Sequence, residues 1–383
     1  MIECDVCVVG AGIAGASVAA LLASDRRVVL LEQEAHPGYH ATGRSVAIFS
    51  ESAGDALSVP LTRASQAFFE RPPPGFSETP LMKSRPVLLF AGADGLGALD
   101  AEFANFGPRH RCERLESAGV LALAPILRAE QAVAGVLDLE TFDIDVHALH
   151  QGWLRMFRKA GGHVLTSAPL RAAERVGEVW RLRAGGHDIT AAIVIDAAGA
   201  WGDEVAALCG ARPIGLRPRR RTVAVLAVDG WDVGDWPMCI AADHSLYIKP
   251  DAGRLLVSAM DQTPSPPCDA FADDFDVAVA LERFETLTHL PIRKPLRAWA
   301  GLRTFAPDGG LVAGFDPDLP GFFWLVGQGG VGIQTCPAMA QAAVALVLGR
   351  PLDDRLARAG VSSAALDPAR FGRELPATGE NRH

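Results

Sequence analysis

The chain has 383 residues, a formal charge of −9 and 49% hydrophobic residues. At roughly 100–200 residues per domain this length holds two or three domains, with ample apolar surface to build a core without disulfide or metal staples. The composition excludes a disordered, collagenous or coiled-coil chain, and the acidic balance argues against a nucleic-acid partner, which needs a basic footprint.

The amino terminus carries acids at Glu3 and Asp5 and no basic segment, so no signal peptide is expected there. No run reaches the roughly 18 apolar residues of a membrane span, leaving at most peripheral membrane association. The seven cysteines are widely spread. Cys4 and Cys7 are expected on opposite faces of one strand, and all seven thiols are expected to be reduced in a cytoplasmic protein.

Cys4–Val9 is a short apolar run of the kind that forms a buried parallel strand. It ends in Gly10-Ala11-Gly12-Ile13-Ala14-Gly15, followed by a helical stretch over Ala16–Ser24 and a second strand over Arg27–Leu31. Glu32 ends that strand and Gln33 comes directly after it. In a dinucleotide site Gly10 allows a tight turn, Gly12 lets backbone approach a diphosphate, and Gly15 lets helix pack on strand. The helix start then offers Ile13, Ala14 and a positive dipole end to the diphosphate. Glu32, 22 residues after Gly10, accepts from ribose hydroxyls.

The motif alone does not choose between NAD and FAD. The next segment is a Gly- and Pro-punctuated loop, His36-Pro37-Gly38-Tyr39-His40-Ala41-Thr42-Gly43-Arg44-Ser45, instead of a simple crossover helix. With it the chain resembles the D-amino-acid oxidase superfamily of FAD-dependent oxidoreductases. The resemblance extends to Ile193–Trp201 (IVIDAAGAW), Trp299–Arg303 (WAGLR) and Gly327–Thr335 (GQGGVGIQT). Further stretches, at Asp143–Gly152, Asp235–Met238 and Tyr247–Gly253, are similar to the D-arginine dehydrogenase and D-amino-acid dehydrogenase branch.

The resemblance implies an α/β plus α+β fold. A discontinuous Rossmann-like FAD domain is expected over 1–80, 142–212 and 297–383. A substrate domain built on an antiparallel sheet is expected over 81–141 and 213–296. It implies noncovalent FAD, contacted by Arg44, Ser45, Ala198, Gly199, Trp201, Gly301, Gly329, Gly330, Val331, Gly332, Ile333 and Gln334 as well as the first glycine loop. It implies a substrate clamp of Arg221, Tyr247 and Arg303, with Gly330 and Gln334 in substrate contact. Arginine suits a carboxylate because its planar fork pairs bidentately. Gly329–Gly332 before a helix over Pro337–Leu348 is expected to hold negative charge as an oxyanion hole does. Arg219 and Arg220, beside Arg221, are expected as a solvated cluster.

Departures from that branch shape the expected specificity. Val87 stands where a carboxylate would meet a cationic side chain, and Ile48 and Ala53 replace a His and a Tyr. An apolar pocket of Ile48, Ala53 and Val87 would leave a guanidinium unpaired at several kcal/mol, unless Glu51 supplied an acid. The expected reaction is oxidative deamination of a D-amino acid with a neutral side chain. Hydride passes from Cα to flavin N5, and the imino acid hydrolyses to a 2-oxo acid. The alternative is sarcosine-oxidase-like oxidation of a secondary amine. The electron acceptor is a quinone, another carrier or oxygen. No side chain offers itself as the base for the amine proton, which solvent can take. No metal is expected: Asp143, Asp145, His147 and His150 read as a capped helix start. Cys336 has no covalent flavin role.

Overall fold

The computed structural model describes residues 1–52, 54–106, 111–291 and 294–372. Ala53 and the last eleven residues of the expected FAD domain lie outside them.

Its centre is a six-stranded sheet ordered His163–Leu165, Val28–Leu31, Val6–Val9, Ile193–Asp196, Phe322–Val326 and Val312–Phe315. All neighbours are parallel except the last pair. Residues alternate faces along each strand. Val6, Val8, Val28 and Leu30 pack toward helices Ile13–Leu22, Val146–Lys159 and Gly332–Val347. Cys7, Val9, Val29 and Leu31 pack toward an antiparallel layer of Leu170–Val176, Val179–Ala184 and His187–Ala191.

Cys4 departs from its expected placement. Ile2–Glu3 pairs with Ile189–Thr190 of the outer layer, and the central strand begins only at Val6. The break turns Cys4 into the same apolar cluster as Cys7, and both are free thiols.

A nine-stranded sheet forms the second body. Its pairings are antiparallel apart from Met238–Ala241 with Val87–Ala91. Its longest pairing joins Arg217–Leu226 to Arg297–Phe305 over nine register positions. The latter strand, expected with the nucleotide fold, thus lies in the other sheet. One face of this sheet packs on helix Asp274–Leu287. The other carries Val223, Leu89, Val87 and Tyr247. Between this face and the carboxyl ends of the parallel strands lies a cleft of ≈ 450 Å³, where open α/β sheets place their ligands.

Candidate active site

The glycine loop forms the floor of the cleft. Gly10 has φ +100°, and a β-carbon there would stand 2.5 Å from the Ala197 carbonyl oxygen. A β-carbon on Gly15 would overlap the Gly10 carbonyl oxygen, so Gly15 packs beneath the loop and does not line the cleft. Gly12, Ile13 and Ala14 do line it. The Ile13 amide donates to Thr42 Oγ1 at 2.9 Å, and a β-carbon on Gly12 would meet the same hydroxyl at 3.2 Å. Thr42 therefore caps this helix start from a distant loop. It belongs to the Thr-Gly-Arg-Ser run, but its role needs tertiary contact to be seen.

Glu32 is buried with its carboxylate aimed back at the loop. Its Oε2 accepts from the Ala11 amide at 3.1 Å and its Oε1 from the Glu34 amide at 3.0 Å. Burial raises its pKa, and the two amides oppose that rise. Gln33 lies beside it on the cleft wall. This glycine cradle with one acceptor carboxylate fits the diphosphate and ribose of a dinucleotide.

Loop 38–45 forms one side wall. Arg44 lines the cleft, but its guanidinium is committed to protein acceptors: the Asp269 carboxylate, the Ala270 carbonyl at 2.6 Å and the Ala300 carbonyl at 3.1 Å. Gly301 admits Arg44, since a β-carbon there would lie 3.3 Å from Arg44 Cβ. Ser45, Ala198, Gly199 and Trp201 also line the cleft. His40, which sequence reasoning passed over, tilts against Trp201 with ring centres 4.6 Å apart and meets Glu34 at 2.9 Å.

Arg221, Tyr247 and Arg303 converge at the far end of the cleft. Register explains the meeting: Arg221 faces Gly301 across the strand pair, so Arg303 two residues on lies diagonal to it. Burial lowers the pKa of both guanidiniums, and Arg303 lowers that of Arg221 further. Burial raises the Tyr247 hydroxyl, while the two cations oppose that rise. No acidic side chain forms an ion pair with either guanidinium among the described residues. Two desolvated cations and one hydroxyl make a positively charged end to the cleft, where the Asp261 carboxylate, bonded to Thr222, acts on both guanidiniums from a distance.

Gly329, Gly330, Gly332 and Ile333 close the cleft opposite this cluster. The Gly329 amide donates to the Thr304 carbonyl and the Val331 amide to the Gln328 carbonyl. Val331 is thus spent inside the turn and lines nothing, contrary to expectation. The next amides open helix Gly332–Val347, whose first turn has no intrahelical acceptors.

Three further expectations are corrected. Gln334 does not line the cleft: its side chain accepts from the Ser50 amide and donates to the Ser50 carbonyl and Thr62 Oγ1 in the interior. Ile48 and Val87 do not line the cleft either. They pack in the cluster behind its wall, with Val223 and Tyr247 in front. Arg220 is no solvated cation, since it pairs with Asp276 at 2.9 Å and Asp273 at 3.2 Å, whereas Arg219 makes only an exposed contact to the Gln262 carbonyl. Glu51 is held by Arg63 at 2.9 Å.

The expected helix start holds. Asp145 caps Val146–Lys159 by accepting from the Ala148 amide. His150 meets the Ala11 carbonyl at 2.9 Å. Asp143 is engaged by Arg85 at 2.8 Å and lies 3.0 Å from Lys249 Nζ, off the hydrogen-bonding direction. No metal-binding group of side chains occurs among the described residues. No helix among them is long and apolar enough to cross a membrane.

Fold and cleft together fit a dinucleotide-binding α/β protein whose cleft has a positively charged end. The sequence profile of the DAO family, described as FAD dependent oxidoreductase, matches residues 5–346, and the chain belongs to that family. FAD is its cofactor, and Gly10, Gly12, Ile13 and Ala14 with Glu32 are the residues that would hold it. The chain is similar to the glycine oxidase of Bacillus licheniformis, 23% identical over 363 residues, covering 91% of this chain and 94% of that one. Its fold is similar to L-proline dehydrogenase from P. horikoshii, with a TM-score of 0.82 and 17% identity, covering 97% and 98% of the two chains. Glycine oxidase from Geobacillus kaustophilus gives a TM-score of 0.79 and 20% identity, covering 94% and 99%.

Proposed function

We propose that the protein oxidises the carbon–nitrogen bond of an α-amino acid carrying a neutral side chain, in the D configuration, with noncovalently bound FAD. One observation carries this reading: two buried guanidiniums and a tyrosine hydroxyl meet at one end of the FAD cleft, and among the described residues no acidic side chain makes a direct ion pair with either guanidinium. A substrate carboxylate is the small anion that such a fork orients. The similarity to a glycine oxidase and to an L-proline dehydrogenase supports an amino-acid substrate.

Arg221 and Arg303 grip the carboxylate, and the Tyr247 hydroxyl donates to it. The Gly330 carbonyl accepts from the substrate amine. FAD, when bound, supplies the acceptor for the hydride of Cα. The amides that open helix Gly332–Val347 would hold negative charge on the bound cofactor. Solvent takes the amine proton, and water completes hydrolysis to the 2-oxo acid. The parallel-sheet body serves the cofactor, and the nine-stranded body serves the substrate.

Among the described residues no acidic side chain lines the cleft beside Arg221, Tyr247 and Arg303, so a cationic substrate side chain meets no partner there. Anaerobic bleaching of the flavin by a panel of D-, L- and N-alkyl amino acids tests the reading. D-Leu, D-Met or D-Phe should exceed D-Arg in kcat/KM by about tenfold or more, since each 1.4 kcal/mol is a decade. Preference for sarcosine would instead select the secondary-amine reading.

A further inference from the structure

The strand Arg254–Ser258 ends beneath the substrate end of the cleft. Ser258 is fully buried and faces Tyr247 in register, and its hydroxyl lowers the pKa of that tyrosine against the effect of burial. Ser258 Oγ also accepts from the Met260 amide at 3.1 Å. Met260 has φ +55°, a left-handed conformation that a non-glycine residue adopts only at a cost of about 1–2 kcal/mol. Its effect is to throw Asp261 back onto the strand Arg217–Leu226. There the Asp261 carbonyl accepts from Arg221 Nε at 2.7 Å. The Asp261 carboxylate accepts from the Thr222 amide at 2.8 Å and from Thr222 Oγ1 at 3.1 Å. One four-residue turn thereby touches two of the three clamp side chains. Backbone strain of this kind persists only where surrounding contacts over-determine it, and it gathers at functional sites.

We propose that the Ser258–Asp261 turn is the positioning element of the carboxylate clamp: Ser258 sets Tyr247, Asp261 sets Arg221, and the left-handed Met260 holds the two in fixed relation. The proposal rests on the clamp reading above. It adds a direction to it. With Nε spent on Asp261, Arg221 presents its two terminal nitrogens, so the carboxylate is gripped end-on at this arginine. Asp261 touches neither substrate nor cofactor and is a positioning residue.

The test is a double-mutant cycle on the holoenzyme, read as acetate affinity from the perturbation of the flavin spectrum. Asp261→Ala should weaken acetate about tenfold, and less than about twofold in an Arg221→Lys background, because a residue acting through Arg221 has nothing left to position. With a good substrate, Asp261→Ala should raise KM far more than it lowers kcat. Asp261→Asn, which keeps an acceptor for Thr222, should recover most of the affinity. Should Asp261→Ala fail to yield holoenzyme, Thr222→Val removes half of the same anchor and should weaken acetate about threefold, again only when Arg221 is present. Equal weakening in both backgrounds, or none in either, overturns the positioning role alone. Unchanged acetate affinity in Arg221→Lys itself overturns the clamp reading, and the proposal with it.

Discussion

The Arg303 guanidinium lies flat against Gly330, so close that a β-carbon at 330 would stand 3.1 Å from Nη1 and 3.2 Å from Cζ. Arg303 and the Gly329–Gly332 turn are therefore fitted to each other. Gly330→Ala should displace the guanidinium and lower kcat/KM for an amino acid by about tenfold, equivalent to about 1.4 kcal/mol. Bound FAD should be retained, because the Gly10–Ala14 loop and Glu32 are unaltered. Arg303→Lys should likewise raise KM, since a lysine cannot reproduce the fork. Loss of flavin with normal KM in the residual holoenzyme would assign Arg303 to the cofactor instead.

Cys268 is the single cysteine lining the cleft among the described residues. Five of the other thiols are buried, and burial beside Asp138 pushes Cys112 up to about 12. Alkylation of the apoprotein at neutral pH should therefore fall first on Cys268. Reconstitution with FAD should slow that labelling by about fivefold or more, as access to the thiol is lost. Peptide mapping of the labelled site checks both points.

Asp196 ends a central strand fully buried. One carboxyl oxygen accepts from the Ala198 amide and the other has no partner. Burial drives its pKa well above the ordinary carboxylate value. Folding then favours the protonated acid, so its contribution is fullest at low pH and is lost as pH rises through the folded pKa. Asp196→Asn keeps the acceptor and has no proton to lose. Its stability relative to the parent should climb with pH, by at most about 1.4 kcal/mol per unit, then level off above the raised pKa. Thermal melts from pH 4 to pH 9 (roughly the range over which such an acid titrates) give the curve. A flat difference would show that Asp196 is ionised in its pocket.

Acid precipitation should release FAD into the supernatant. The thiol nearest the Gly329–Gly332 turn in sequence, Cys336, is buried within the helix and is absent from the cleft wall. Colour retained by the pellet would show a covalent bond.

The cofactor half was legible because glycines there answer to local constraints. A positive φ at Gly10 and the closeness of Gly15 to Gly10 are dictated within six residues. The substrate half depends on long-range pairing, and legibility fell accordingly. Arg221, Tyr247 and Arg303 could be named from motifs, but Asp261 could not, since nothing local marks an acid that bonds a threonine 39 residues away. Gln334 and Val331 misled because a motif gives position and not orientation. Helix geometry turned Gln334 inward to Ser50 and Thr62. Val87 misled differently. It opens the strand Val87–Ala91 and is only 5% exposed, behind the cleft wall. A Val87→Glu exchange would bury a charge and destabilise the fold by several kcal/mol before it recognised any substrate.

The pairing of Arg217–Leu226 with Arg297–Phe305 also governs how this family member can change over evolutionary time. Arg221 sits opposite Gly301, and Arg219 opposite Arg303. A one-residue deletion within either strand would carry its arginine to the far face of the sheet. Divergence in substrate can therefore proceed by substitution in these strands, whereas length changes must fall in the turns outside them. During synthesis the same pairing delays competence. A nascent chain has no carboxylate grip until residue 305 has emerged from the ribosome and the second strand has docked.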